Sequence, residues 1–406
     1  LAVAKVSAAR QPIGKAVTEV FGAFLKLGVT SFGGPIAHLG YYRNEFVIRR
    51  KWLDESSYAD LVALCQFLPG PASSQVAFSL GLSRAGLWGG LAAWVAFTTP
   101  SALALLVFAY YSTSIAGPVG AAVLHGLMIV AVAVVSQAVW GMARALAPDR
   151  QRATIALGAT LVVVFVGSSL GQIAAIALGG IAGFWVCRAE APPATGHLSF
   201  SISRPLGIAA LACYFVLLGG LPVLVGAFHS QALALFEAFY RSGALVFGGG
   251  HVVLPLLQAT TVDPGWVSND VFLAGYGAAQ AVPGPLFTVS SYLGFVMKPQ
   301  PNGLLGAMIS LVAIFLPGML ILTGALPFWD DFRRRLNAQA AMRGINAAVV
   351  GLLAAALYDP IWTSAIHDTR DFALVLTGFV LLTVWRLPPW LIVIVSAGGA
   401  ATLAAL

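Results

Sequence analysis

Charge is scarce in this 406-residue chain: Asp, Glu, Lys and Arg make up 9% of it, while 59% is hydrophobic and mean hydropathy is +0.88. A soluble chain of that length covers its domains with charged surface, so the scarcity excludes a soluble globular protein and leaves a polytopic membrane protein. Cysteine is nearly missing too. Cys65, Cys187 and Cys213 have no metal-type spacing and each sits in or beside an apolar stretch, so neither a disulfide nor a zinc site is expected from them. Also missing are a His-Glu-x-x-His pair, a Gly-x-Ser-x-Gly elbow, a P-loop and any paired-carboxylate motif in a membrane segment. Their lack argues against an intramembrane enzyme and against ATP-driven transport by this chain. No cofactor and no metal are expected. The net charge of +7 sits in short loops, where orientation in a bilayer explains it better than nucleic-acid binding does. The stretch LAVAKVSAARQPIGKAVTEV is basic without the continuous apolar core of a signal peptide, so residues 1–14 read as a cytoplasmic tail and the first membrane segment as retained.

Glycine and proline, by contrast, are plentiful at 44 and 22 residues, and they recur in register. FLKLGVTSFGGP from Phe24 aligns without gaps to FYRSGALVFGGG from Phe239, pairing Gly28 with Gly243, Phe32 with Phe247 and Gly33-Gly34 with Gly248-Gly249; Lys26 falls on Arg241. CQFLPGPASS from Cys65 matches AQAVPGPLFT from Ala279, placing Gln66 on Gln280 and Pro69-Gly70-Pro71 on Pro283-Gly284-Pro285. GLWGGLAAWVAFTTP from Gly86 then matches GLLGAMISLVAIFLP from Gly303. Three blocks in the same order make two homologous halves, residues 15–188 and 230–406. Between them, residues 189–229 hold a polar, proline-containing linker and one unpaired apolar segment, Leu206 to Phe228. A single extra crossing inverts the second half relative to the first when each half crosses an even number of times. The expected fold is therefore an all-α polytopic membrane protein of two inverted-topology repeats.

Gly86 to Tyr111, Val119 to Met142, Leu206 to Phe228, Gly303 to Phe328 and Ala340 to Leu357 are each long enough to span a core of about 30 Å. Thr154 to Cys187 and Phe372 to Leu406 each read as two short crossings. The motif segments behave differently. A simple crossing by Val17 to Leu39 would put the basic tail and the stretch Arg43, Arg49, Arg50, Lys51 on opposite sides, against the positive-inside rule. If Val17 to Phe46 turns back at SFGGP, and Asp60 to Leu82 at LPGP, every basic residue faces the cytoplasm except Lys298 and Arg370 outside and Lys26 and Arg241 within the membrane. Irregular backbone at that depth must be satisfied by protein or by a water-filled cavity, and the half-helix N-termini it exposes attract anions.

Lys26 and Arg241 lie near mid-depth, where a cation costs about 2.5 to 3.5 kcal/mol on insertion scales. Related by a pseudo-twofold axis, they suit a compact dianion held by a point charge and a planar fork. Snorkelling, or for Arg241 an ion pair with Glu237 one turn earlier, is the structural alternative. Ser31, Gln66, Ser73, Ser74, Gln280, Thr288 and Ser290 are candidates to complete the anion's shell, against the simpler reading that they serve helix packing. His38 and His251, just past the two glycine breaks, are candidates for proton coupling, with Glu19, Asp60 and Glu237 as competitors.

FGGPIAH over Phe32 to His38, FGGGHVVLP over Phe247 to Pro255, and the paired Pro-Gly-Pro tripeptides closely resemble the chromate ion transporter family in its long, two-domain bacterial form. The resemblance covers both halves. It implies a multi-pass protein of the bacterial cytoplasmic membrane that exports chromate, a sulfate analogue, using the proton motive force, and that confers chromate resistance. It points for substrate binding to the motif residues Ser31, Phe32, Gly33, Gly34, Pro35, Gln66, Pro69, Gly70, Pro71 and Ser73, and to Phe247, Gly248, Gly249, Gly250, Gln280, Pro283, Gly284, Pro285 and Thr288, beside Lys26 and Arg241. The second half departs from the first in carrying Gly250 for Pro35 and Arg241 for Lys26. The expected partners are chromate or sulfate, protons and lipid, with no nucleic acid and with a homodimer left open. Uptake of sulfate or another oxyanion, an anion channel and, more distantly, a membrane enzyme are the competing readings.

Overall fold

Each half breaks at the same two places. The computed structural model describes residues 12–112, 118–166, 169–187, 200, 202–247, 250–329 and 335–405; most of the expected N-terminal tail and linker, together with Gly248 and Gly249, lie outside them. Among the described residues all regular structure is helical. Helix α1 (Ile13–Thr30) stops where Ser31 turns extended and Gly33 and Gly34 take φ of 100° and 75°, and α2 (Gly34–Tyr42) restarts with Pro35 in its first turn, where a missing N–H costs nothing. It continues through a π-helical stretch, Arg43–Arg49. Helix α3 (Glu55–Phe67) is N-capped by Asp54, and Gly70 at φ 122° separates it from α4 (Ala72–Ser112), itself kinked at Ala85 and Gly86. Then come α5 (Pro118–Leu146), α6 (Arg150–Val166) and α7 (Ser169–Val186), followed by the unpaired α8 (Arg204–Phe228).

The second half repeats the plan: α9 (Gln231–Ala244), α10 (Val253–Thr261), α11 (Asn269–Ala281), Gly284 at φ 106°, α12 (Val289–Val296), α13 (Gly303–Ala325), α14 (Leu336–Ala356), α15 (Thr369–Thr383) and α16 (Pro389–Ala405). Short 3-10 turns, Gly250–Val252 and Leu286–Thr288, lead into α10 and α12. Among the described residues, five stretches are long and apolar enough to cross a membrane: Ala72–Ser112, Gly120–Leu146, Arg204–Phe228, Gly303–Phe328 and Leu336–Ala365. They contain or closely overlap the five full spans expected from sequence. The two expected pairs of short crossings are α6 with α7 and α15 with α16.

Ion pairs establish the re-entrant geometry. Glu19, in the second turn of α1, meets Arg50 at 3.4 Å and Arg84 at 2.8 Å. Arg50 lies beyond the first break and Arg84 beyond the second, so both segments enter, turn and return to the end where α1 began. Arg43 pairs with Glu55 at 2.5 Å in the same basic corner. Burial there disfavours the Glu45 carboxylate, but hydrogen bonds from Arg49 and Arg50 outweigh it and hold its pKa below the usual carboxylate range. In the second half the Lys298 N–H donates to the Trp266 carbonyl at 3.0 Å, closing the corresponding hairpins together. The inversion follows from two further contacts. Phe108, near the end of α4, stacks on Tyr292 of α12 with ring centroids 5.5 Å apart, close to where α13 starts, whereas Trp329, just past α13, donates to Asp60 of α3 at 3.4 Å. The equivalent spans α4 and α13 therefore run in opposite directions. Cysteines at Asn44 and Asn337 should accordingly label from one side of the membrane and a cysteine at Pro264 from the other; labelling of all three from one side would contradict the inversion.

The halves are interlocked. Helix α14 of the second packs on α6 and α7 of the first, and α5 of the first packs on α15 and α16 of the second. Within each half α1 packs on α4 and α9 on α13, with Gly28 against the Ala96 and Phe97 carbonyls and Gly243 against that of Ile314. Helix α8 covers α9 and α13.

Candidate functional site

The two sets of breaks meet in a reciprocal junction. The Gly70 N–H donates to the Val246 carbonyl at 2.7 Å, and the Gly284 N–H donates to the Ser31 carbonyl at 3.0 Å. In the repeat alignment Gly70 matches Gly284 and Ser31 matches Val246, so one hydrogen bond is the image of the other. A Cβ on Gly70 would lie 3.0 Å from Gly318 Cα, and one on Gly284 would lie 2.8 Å from Ser101 Oγ; Ser101 and Gly318 are again equivalent, each following the proline of its span. Pro35 meets its own counterpart, since a Cβ on Gly250 would stand 3.1 Å from Pro35 Cγ. A residue that touches its image lies beside the axis, where two prolines would collide. That is a steric reason for the proline-to-glycine departure between the halves.

Helix starts surround this junction. Helix α2 and the turn Leu286–Thr288 begin without a side-chain cap, leaving first-turn amides without intrahelical partners. Several buried polar atoms nearby in the chain, Ser31 Oγ, Ser74 Oγ, Gln75 Oε1, Ser290 Oγ and Gln280 Nε2, have no hydrogen-bond partner among the described residues. Buried polar groups are ordinarily paired, so an unpaired set beside uncapped helix starts fits a polar or anionic ligand. His38 is fully buried, its Nε2 3.2 Å from the Ser31 carbonyl and its Nδ1 3.5 Å from Ser73 Oγ. His251 Nδ1 lies 2.7 Å from the Tyr276 hydroxyl. Thr288 turns its hydroxyl back to the Pro285 carbonyl at 2.7 Å.

Other expected site residues are placed elsewhere. Lys26 lies on the outward face of α1, shared with Gly22, Leu25 and Val29, because the opposite face (Ala23, Phe24, Leu27, Gly28) packs on α4. Arg241 is half-buried, 2.7 Å from Glu237, facing Gln172, Ser242 and Thr260. The mid-membrane cations therefore do not converge on one point. Gln66 ends α3 exposed, while its image Gln280 is partly buried; Phe32 faces Trp390 with ring centroids 6.4 Å apart, and Phe247 packs against the main core. Glu19 and Glu237 are held in ion pairs. The sequence reading passed over Gln75, whose Nε2 donates to the Pro69 and Gly318 carbonyls at 2.9 and 3.1 Å and so ties the first Pro-Gly-Pro to the second half. A lone amide one turn past Pro71 in an apolar helix was the available signal.

The chromate transporter family model matches residues 18–184 and 233–403, leaving out α8. The chain belongs to the chromate transporter family. Among curated relatives, the chromate transport protein of Pseudomonas aeruginosa is 26% identical, with 94% of this chain and 91% of that protein covered. The probable chromate transport protein of Synechococcus elongatus is 27% identical over 92% of each. The chromate transport protein of Cupriavidus metallidurans is 28% identical over 82% of this chain and 80% of that one. No solved structure matches the chain. Membership in a chromate transporter family is membership in a family of multi-pass membrane transporters, and the two matched stretches are the two halves whose breaks meet at the junction.

Proposed function

We propose that this protein exports chromate across the bacterial cytoplasmic membrane, coupled to the proton motive force, and that the anion binds at the junction of the two broken repeats. The observation carrying this reading is the reciprocal pair of hydrogen bonds, Gly70 to Val246 and Gly284 to Ser31, which draws uncapped helix starts of both halves to one axis. Partial positive charge from helix starts, with hydroxyl and amide donors, holds a tetrahedral dianion without a dedicated side-chain cation. Ser31, Ser74, Ser290, Gln75 and Gln280 are the side chains proposed to complete its shell. Movement of one interlocked bundle past the other would expose the axis alternately to each side, as in other inverted-repeat carriers. The His251–Tyr276 pair supports a proton path, since it joins a titratable imidazole to a hydroxyl at 2.7 Å on the helix that carries Gln280.

Chromate flux into vesicles of defined orientation, under imposed pH gradients and with sulfate as competitor, tests the reading. Ser31→Ala and Gln280→Ala should each weaken chromate affinity about 10-fold, the loss of one hydrogen bond to a charged ligand. His251→Gln should remove the dependence of flux on the pH gradient while chromate binding persists. Lys26→Gln should leave affinity unchanged. Wild-type affinity in both Ser31→Ala and Gln280→Ala would place the anion elsewhere, preference for sulfate uptake would favour a general oxyanion carrier, and conducted current far above carrier turnover would favour a channel.

A further inference from the structure

A cavity of about 430 Å³ lies at the end of α4, lined by Ser112, His125, Asp270, Tyr292 and His367 among others. The basic corner around Glu19, Arg50 and Arg84 sits at the other end of the same span, so on the topology argued above the cavity opens to the outside. On its wall His125 Nε2, from α5, stands 2.9 Å from Asp371 Oδ1, at the start of α15. The other carboxylate oxygen accepts the His367 N–H at 2.9 Å and lies 4.0 Å from His367 Nδ1. The imidazoles of His125 and His367 stack with centroids 5.1 Å apart and planes 12° from parallel. Two imidazole nitrogens and a carboxylate oxygen thus lie within 4.8 Å of one another.

We propose that His125, His367 and Asp371 form a binding site for a divalent metal of the zinc class. Zinc bonds to imidazole nitrogen and carboxylate oxygen are about 2.0 to 2.2 Å long, so tetrahedral ligands stand about 3 to 3.5 Å apart, and the separations seen here bracket that range. A small turn of the His367 ring, which is 64% exposed, closes the set. Two imidazoles and one carboxylate suit zinc or its transition-metal neighbours and do not suit magnesium or calcium, which prefer all-oxygen shells. Helix capping does not account for the cluster, because Asp368 already accepts the Arg370 and Asp371 N–H groups at the start of α15. The open side of the cavity leaves a fourth coordination position to water. The ligands come from both halves, His125 from the first and His367 and Asp371 from the second. A bound ion would therefore staple α5 to α15, a packing the two halves exchange. The site is independent of where chromate binds.

The test is calorimetric titration of the purified full-length protein in detergent with zinc chloride, with magnesium chloride as comparison. One saturable zinc site per chain is expected, weakened at least about 10- to 100-fold in both His125→Ala and His367→Ala, together with a zinc-induced rise in thermal stability that His367→Ala abolishes. The exposed His367 side chain makes its alanine variant safe for folding, so the result does not hinge on His125 or Asp371. Failure of wild-type protein to bind zinc saturably, or equal zinc affinity in wild type and both variants, overturns the assignment.

Discussion

Alanine in place of Gly284 should cut chromate flux by about two to three orders of magnitude, because two costs fall on one atom. Gly284 holds φ at 106°, where an L-residue is strained by about 1 to 2 kcal/mol. A Cβ there would also stand 2.8 Å from Ser101 Oγ and 3.1 Å from Ser101 Cβ, so rotating the hydroxyl away does not clear it. Overpacking of that kind costs about 1 to 3 kcal/mol more. Either the backbone shifts and the hydrogen bond to the Ser31 carbonyl is lost, or Ser101 moves and the span after Pro100 moves with it. Both distort the junction proposed to hold the anion. Gly265→Ala separates strain from contact: it has φ of 77° but open space around it, in a loop away from the junction. It should lower stability by the strain alone, about 1 to 2 kcal/mol, and leave flux unchanged. Flux per folded molecule, measured in vesicles at matched protein content, decides the matter. A Gly284→Ala protein that transports like wild type would mean that the junction is neither tight nor part of the pathway.

The breaks were legible in sequence because glycine and proline act on their own backbone, and the same punctuation appears twice. Inversion was legible because one unpaired apolar segment separates the halves and because basic residues sort by side. Which way a side chain points was not legible. Lys26 and Arg241 occupy equivalent positions on α1 and α9, yet one faces outward while the other, on a helix covered by α8, pairs with Glu237 one turn earlier. In a soluble helix the polar face marks the outside; in a membrane both lipid and protein neighbours are apolar, and that cue disappears. The exchange of α5 and α14 between halves was hidden for the same reason. His125, His367 and Asp371 escaped notice because pattern reading works over short spacings, and these residues meet only through that exchange.

The exchange itself rests on bare backbone contact, and Gly344→Leu should abolish folding. A Cβ on Gly344 of α14 would stand 2.0 Å from the Gly179 carbonyl and 2.5 Å from Gly183 Cα, both on α7. One on Gly351 would meet the Ala156 carbonyl of α6 at 2.1 Å, beside the bond from Thr160 Oγ1 to the Gly351 carbonyl at 3.1 Å. Small residues four apart on facing helices let backbones touch, and dispersion across that contact takes the place of the hydrophobic driving force that lipid removes. Leucine at Gly344 has nowhere to go, because the obstacle is main chain on a packed helix and no flexible side chain can yield. Forcing the helices apart by even one side-chain layer forfeits contact along the whole α14 to α7 seam, well beyond the roughly 1 to 3 kcal/mol of an ordinary overpacked site. Gly344→Ala should still destabilise, by less. Gly158→Ala on α6 is the matched comparison: its Cβ meets nothing within 4 Å, so it should be neutral or stabilising by up to about 1 kcal/mol through helix propensity. Size-exclusion profiles and thermal unfolding of the purified variants measure the effect. A monodisperse Gly344→Leu protein with wild-type thermal stability would show that the halves are held together somewhere other than this seam.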